Sequence, residues 1–334
     1  MRALRLSSPG SFEWIALPET AAPGPGEALV AVHAIGICGT DIAGYQGKMP
    51  FIQYPRILGH ELGVEVLATG AGVTHLQPGD RCSVEPYLNC GRCRPCLLGR
   101  TNCCEYLQVL GVHCDGGMRE RILLPAAKLH PSPDTVLDYE QLALVETLAI
   151  GCHAVKRARL TPEEDVLIIG AGPIGLTVLE FARLGGRKVT VLELNETRRQ
   201  FVTRHYPGTQ VVDSLPDGPV AHTVFDATGH AGSMAAALGY ARFAGQVVYV
   251  GITKEPVPLD DPLFHRRELT LLASRNAQAE DFPFILDLLR SGTINTAPWI
   301  SHRCAFEELP ETLPAWMAPG SGLIKAVVRL GTGD

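Results

Sequence analysis

The sequence contains no run of Lys or Arg, and its formal net charge at pH 7 is −6. A surface of that sign is a poor match for phosphate backbones and anionic headgroups, so neither nucleic acid nor a membrane surface is an expected partner. Long apolar runs are missing too. The longest candidate, residues 166–179, is interrupted by Gly170, Gly172, Pro173 and Gly175 and cannot span a bilayer. No apolar core with a small-residue cleavage site follows Met1, which leads straight into the strand-like Arg2-Ala3-Leu4-Arg5-Leu6. The expected location is the cytoplasm.

What is present fits an enzyme. A chain of 334 residues has room for two hydrophobic cores, and 46% hydrophobic with 19% charged residues is ordinary for a globular protein, which sets disorder and coiled coils aside. Five of the ten cysteines fall between Cys90 and Cys104. In a cytoplasmic chain such clustering points to metal rather than to disulfides.

The chain is organised around the stretch from Cys38 to Glu61. It opens Gly36-Ile37-Cys38-Gly39-Thr40-Asp41 and closes Leu58-Gly59-His60-Glu61. Cys38, His60 and Glu61 offer a thiolate, an imidazole and a carboxylate, a donor set suited to Zn²⁺, and three protein ligands leave a fourth position open for chemistry. A second set lies in Cys90-Gly91-Arg92-Cys93-Arg94-Pro95-Cys96 followed by Cys104. Four thiolates at C-x2-C-x2-C-x7-C spacing close a tetrahedron around a structural zinc, with Cys103 the alternative to Cys104. The expectation is two Zn²⁺ per chain, one catalytic and one structural.

Up to about Ala34, and again at Gly63 to Thr69, Arg81 to Glu85 and Glu120 to Leu124, apolar and polar residues alternate between turns, as in a rolled-up antiparallel sheet. From Glu140 to Arg159 the period becomes helical. Then Asp165-Val166-Leu167-Ile168-Ile169 reads as a buried strand, followed at once by Gly170-Ala171-Gly172-Pro173-Ile174-Gly175 and an apolar helix, with Glu193 at the end of the next strand. That context makes the glycine pattern a dinucleotide site: Gly170 turns, Gly172 admits the pyrophosphate, and Gly175 lets helix and strand pack closely. Glu193 would accept hydrogen bonds from ribose hydroxyls and repel a 2′-phosphate, which favours NAD over NADP. Arg198 or Arg199 is able to bend back to a phosphate, the other reading being solvated helix charge. Thr228 and Gly251 are further candidate cofactor contacts, beside Pro173 and Ile174 of the turn. Later βαβ units extend to Ala273, after which two helices and a last strand return to the first domain.

Together these motifs resemble the zinc-dependent medium-chain dehydrogenases, in the branch of the sorbitol and threonine dehydrogenases, over nearly the whole chain. The resemblance implies an α/β protein: a GroES-like β-rich catalytic domain (1–147 and 275–334) and a doubly wound Rossmann domain (148–274). It implies Glu146 as an exchangeable or water-bridged zinc ligand. Thr40 would take the substrate hydroxyl proton, with Glu61 and Glu146 as candidate exits, because the family position of an onward His is Ala43 here. His113, Arg275 and Asn276 are the implied substrate contacts. Tyr54-Pro55-Arg56-Ile57-Leu58, Gly99-Arg100-Thr101-Asn102 and Gly111-Val112-His113-Cys114-Asp115 are similar to bacterial members that oxidise a secondary alcohol of a sugar acid. The expected function is hydride transfer from a small polyhydroxy substrate, an L-galactonate-like sugar acid or polyol, to NAD⁺. The alternatives are a neutral-polyol or threonine dehydrogenase, a zinc-free reductase on the same fold, and a non-catalytic NAD-binding protein. A homo-oligomer, dimer or tetramer, is expected, with strand Gln246 to Gly251 able to pair with its twin across a two-fold axis.

Overall fold

The structure, a computed structural model, describes residues 1–331. Residues 332–334, the end of the segment expected to return to the first domain, lie outside the described residues. The chain divides into two compact units, one of Met1–Glu146 together with the stretch from Gln278 onward, the other of Thr147–Ala277.

The first unit opens with a hairpin of β1 (Arg2–Ser8) and β2 (Ser11–Ala16). The 11-residue β3 (Glu27–Ile37) follows, buried at Ala28, Val30, Val32 and Ala34, the period of two that a sheet with one face inward requires. Helix α1 (Gly39–Tyr45) comes directly after it, then β4 (Arg56–Ile57), β5 (Glu61–Thr69) and β6 (Arg81–Val84). A lobe carries β7 (Tyr87–Leu88), the one-turn helix α2 (Arg94–Leu97) and β8 (Gln108–Val109), and β9 (Arg121–Pro125) and β10 (Leu129–Ser132) lead out of it. Helix α3 (Tyr139–Ala158) begins in the first unit and ends in the second.

In the second unit strands and helices alternate. β11 (Val166–Ile169), α4 (Pro173–Arg183), β12 (Val189–Leu192), α5 (Glu196–His205) and β13 (Gln210–Val212) form one half. The other half is β14 (Ala221–Asp226), α6 (Ala231–Tyr240), β15 (Ala241–Tyr249), α7 (Asp261–Arg266) and β16 (Thr270–Ala273). All six strands are parallel, in the order β13-β12-β11-β14-β15-β16. β11 is buried along its whole length, as the centre of a sheet covered on both faces must be. The order reverses between β11 and β14, and the crevice at such a switch point is where doubly wound sheets take their ligands.

One expectation is corrected here. The stretch 246–251 cannot pair with a twin, because β15 is already hydrogen-bonded to β14 on one side and β16 on the other. On that side of the sheet the free edge belongs to β16, with β13 the edge on the other.

The chain returns to the first unit through α8 (Asp281–Arg290), β17 (Ile300–Ala305), α9 (Leu309–Trp316) and β18 (Lys325–Arg329). β18 pairs antiparallel with β3 and parallel with β17, so the large sheet runs β10-β6-β5-β3-β18-β17, with β9 also on β3. β17 escapes a sequence reading because Ser301, His302 and Arg303 interrupt its apolar residues. Among the described residues no helix is long and apolar enough to cross a membrane.

Candidate metal centres and dinucleotide site

Cys38 follows the last residue of β3 and caps α1. Its backbone N–H donates to Asp41 Oδ2 at 2.9 Å, closing the first turn against an acidic side chain that a helix N-terminus favours. β5 starts at Glu61, opposite Gly36 of β3. This register brings Glu61 and the preceding His60 to the end of the sheet where Cys38 sits. One ligand atom from each of Cys38, His60 and Glu61 lies within 4.8 Å of the others. Gly36 is required for this arrangement, since a Cβ there would overlap the Glu61 carboxylate.

The surroundings fit a metal. His60 Nδ1 lies 3.7 Å from Asp41 Oδ1, and both atoms are buried without a hydrogen-bond partner. A metal on the other ring nitrogen would leave Nδ1–H facing that carboxylate, the pairing that orients metal-bound imidazoles. Burial opposes charge on His60, yet Asp41 and Cys38 outweigh it and raise the imidazole pKa well above its ordinary value. An incoming cation therefore displaces a proton as well as occupying the site.

Two buried groups beside these donors were not anticipated. Lys325 of β18 is 1% exposed, and its Nζ donates to Glu61 Oε1 at 2.5 Å and pairs with Oε2 as well. Burial disfavours the ammonium, but Glu61 and Cys38 more than offset it and raise its pKa. Tyr87 donates its hydroxyl to Glu146 Oε1. Glu146 itself, buried on α3, is not among the converging ligand atoms, and burial pushes its carboxyl pKa up. Thr40 sits half-buried in the first turn of α1, with Ala43 further along the same helix. Asp41 was in the motif but had no role; an acidic residue three positions after Cys38 was its signal. For Lys325 the signal was a lysine inside the apolar run Leu323-Ile324-Lys325-Ala326-Val327-Val328.

In the lobe, the sulfurs of Cys90, Cys93, Cys96 and Cys104 converge within the same 4.8 Å, while Cys103 is exposed and outside the group. Cys104 Sγ accepts from the N–H groups of Cys90 and Tyr106, each at 3.3 Å, and Cys90 Sγ accepts from Cys93 N at 3.4 Å. Backbone donors, that of Arg92 foremost, lower the Cys90 thiol to about 6 and so favour the thiolate a metal needs. Among the described residues, which include all ten cysteines, no disulfide is formed.

In the second unit Gly170 turns with φ +95°, and Gly172 caps α4 with Pro173 in its first position. A Cβ on Gly175 would overlap the Gly170 carbonyl, whereas at Gly172 it would meet only Arg198 Nη1 at 3.6 Å. The backbone at Gly172 thus stands clear for a diphosphate at the helix N-terminus. Glu193 accepts from Ala171 N at 2.7 Å and Asn195 N at 2.8 Å, which ties the acidic residue to the glycine turn. Arg198 lies 3.9 Å from Glu193, while Arg199 is spent on the carbonyl oxygens of Glu193 and Leu194. Thr228 is held by fully buried Asp226, and a Cβ on Gly251 would overlap Gly229 N. Ile174 is the second residue of α4.

The three substrate candidates lie in different places. Asn276 holds a left-handed φ of +51° just beyond β16, next to exposed Arg275, both in the second unit. His113 is exposed in the first unit and accepts from Val109 N at 3.1 Å. Its loop is seated on Gly59: a Cβ at Gly111 would come within 2.7 Å of Gly59 N, next to the candidate ligand His60.

Residues 24–134 match the alcohol dehydrogenase GroES-like domain, and residues 173–291 the zinc-binding dehydrogenase family. L-galactonate-5-dehydrogenase of Escherichia coli K12 is 38% identical over 98% of both chains. The 2-dehydro-3-deoxy-L-galactonate 5-dehydrogenase of Pseudoalteromonas atlantica is 34% identical over 84% of this chain and 85% of its own. An alcohol dehydrogenase (rspB) of Escherichia coli CFT073, solved in complex with NADH, is similar with a TM-score of 0.91 over 99% of both chains, at 28% identity.

Proposed function

The chain belongs to the zinc-binding alcohol dehydrogenases, and from that membership we propose that it oxidises a secondary alcohol of an L-galactonate-like sugar acid with NAD⁺. The observation that carries the chemistry is the convergence of Cys38, His60 and Glu61 on one point of the first unit. Zinc held there would supply a Lewis acid for the substrate hydroxyl, and NAD⁺ held at the glycine turn would supply an acceptor for the carbinol hydride. Two zinc ions per chain are proposed, the second in the four-cysteine lobe.

The roles of the side chains follow from their chemistry. The Thr40 Oγ1 hydroxyl relays the proton of the substrate hydroxyl, accepting it as it gives up its own. Ala43 has nothing to carry that proton onward, so its exit falls to water or to the carboxylates Glu61 and Glu146. Glu193 holds the ribose hydroxyls and disfavours a 2′-phosphate, which makes NAD the preferred dinucleotide even with Arg198 at hand. The Arg275 guanidinium pairs with the carboxylate that separates an aldonate from a neutral polyol, and Asn276 and His113 bind substrate hydroxyls.

For the assembly, the free edge of β16 is the reading's natural seam. Leu271 on it is 38% exposed, with Ile252, Leu259 and Phe243 exposed elsewhere in the same unit. Two β16 strands paired across a two-fold axis would satisfy both edges and cover apolar surface. The cytoplasm suits ten cysteines none of which forms a disulfide.

An NAD⁺-reduction screen of the zinc-loaded protein tests the substrate class, with L-galactonate, other aldonates, neutral polyols and L-threonine, and an Arg275→Ala variant alongside. Aldonate turnover whose KM rises at least ~10-fold in the variant, the loss of a charge-assisted bidentate pair, is the expected result. Preference for neutral polyols, or a variant indistinguishable from wild type, sinks the sugar-acid assignment and leaves a polyol dehydrogenase.

A further inference from the structure

Lys325 has no part in the reaction as described, yet it is the fully buried lysine whose ammonium touches a proposed zinc ligand. We propose that Lys325 is a positioning residue that retains a share of the Glu61 carboxylate in competition with the catalytic metal, so that the metal's hold on Glu61 is partial and readily exchanged. This rests on the metal-centre reading above.

The geometry leaves Glu61 little freedom. Nζ engages both carboxylate oxygens, and Gly36 opposite gives the carboxylate just enough room, with a Cβ there excluded. β18 is held between β3 and β17, so the root of the lysine cannot withdraw. Oε1 accepts the ammonium's hydrogen bond, while Oε2, in ion-pair contact with it, accepts none, so a cation arriving at Cys38 and His60 must share with Lys325 a carboxylate already paired to it. Two cations on one carboxylate repel each other, and a ligand oxygen that also accepts a hydrogen bond donates less to the metal. The lysine also balances charge: Asp41 and Glu146 are buried beside Glu61, and Lys325 places an ammonium among these acidic side chains.

The test compares wild type with Lys325→Met and Lys325→Gln, which remove the charge, and Lys325→Arg, which keeps it. Metal content per chain is measured first, then release of the catalytic-site metal to a chromophoric chelator, then the visible ligand-field bands of the Co²⁺-substituted proteins. The neutral variants are expected to release metal ~10-fold or more slowly, the size of an outer-partner effect but opposite in sign to the loss of affinity that removing a supporting partner causes. Their cobalt bands should move, Lys325→Arg should behave as wild type, and release from the four-cysteine site should be unchanged in all. Thermal melts should show the neutral variants destabilised without metal and restored with it, which a merely structural pair would not produce. Release equal to or faster than wild type, or unmoved cobalt bands, overturns the proposal; so does failure of both neutral variants to fold in the presence of metal while Lys325→Arg folds. If wild type holds one metal rather than two, it is the metal-centre reading that has failed.

Discussion

At the scale of single residues, the first unit ties the start of α3 to its sheet through one carboxylate. Glu140 accepts from Arg303 of β17 at 3.0 and 3.1 Å and from Arg329 of β18 at 2.5 Å. Burial pushes the Glu140 carboxyl up, but the two guanidiniums outweigh it and hold it below the ordinary glutamate range. Because Arg303 and Arg329 are 40% and 61% exposed, the pairing is screened, and Glu140→Gln is expected to cost about 1 kcal/mol at neutral pH. A depressed folded pKa means the stabilisation is present above the unfolded value of about 4.3 and is lost as pH falls through the lower folded value. Urea midpoints of wild type and variant should therefore differ at pH 7 and converge only as pH falls below the lowered folded value, where both states bind the proton. A gap that widens in acid would contradict this pairing. Such contacts were not legible beforehand, because Glu140 and Arg329 are 189 residues apart and each looks like ordinary surface charge.

At the scale of elements, the four-cysteine lobe was the most legible part of the chain. Its ligands sit on one short loop, so spacing alone nearly determines their geometry, and the exposed Cys103 was set aside for Cys104 on spacing. Cys104→Ser is expected to leave about one zinc per chain in place of two by metal analysis, because three thiolates do not close a structural tetrahedron. Cys103→Ser should retain both. Loss of metal in the second variant instead would reassign the fourth ligand. The dinucleotide turn was readable for the same local reason, since strand, glycines and helix are contiguous. β17 was not, because its three central residues are polar and its place in the sheet depends on β18.

At the scale of the whole molecule, the sheet order decides which backbone is left for a partner chain. β15 is spent on both sides and β16 on one, which turns a plausible seam into an internal strand and exposes the next one. Leu271→Arg on β16 is expected to shift sedimentation from a dimer or tetramer towards smaller species, with little change in the protein's own melting transition. A charge at an edge strand is a known bar to pairing. Unchanged sedimentation would place the assembly elsewhere or remove it.

The sequence by itself determined the candidate metal donors, the four-cysteine spacing, the glycine turn with its acidic partner and the two-part architecture, because each is written in residues close together in the chain or in a periodic pattern. Only the tertiary structure decided what surrounds them. The β3 and β5 register puts Gly36 against Glu61, Asp41 comes to face His60, Tyr87 meets Glu146, and Lys325 reaches Glu61 across 264 positions. Those pairings depend on strand order and register, which are set by burial of the whole sheet and leave no mark in any short stretch of sequence.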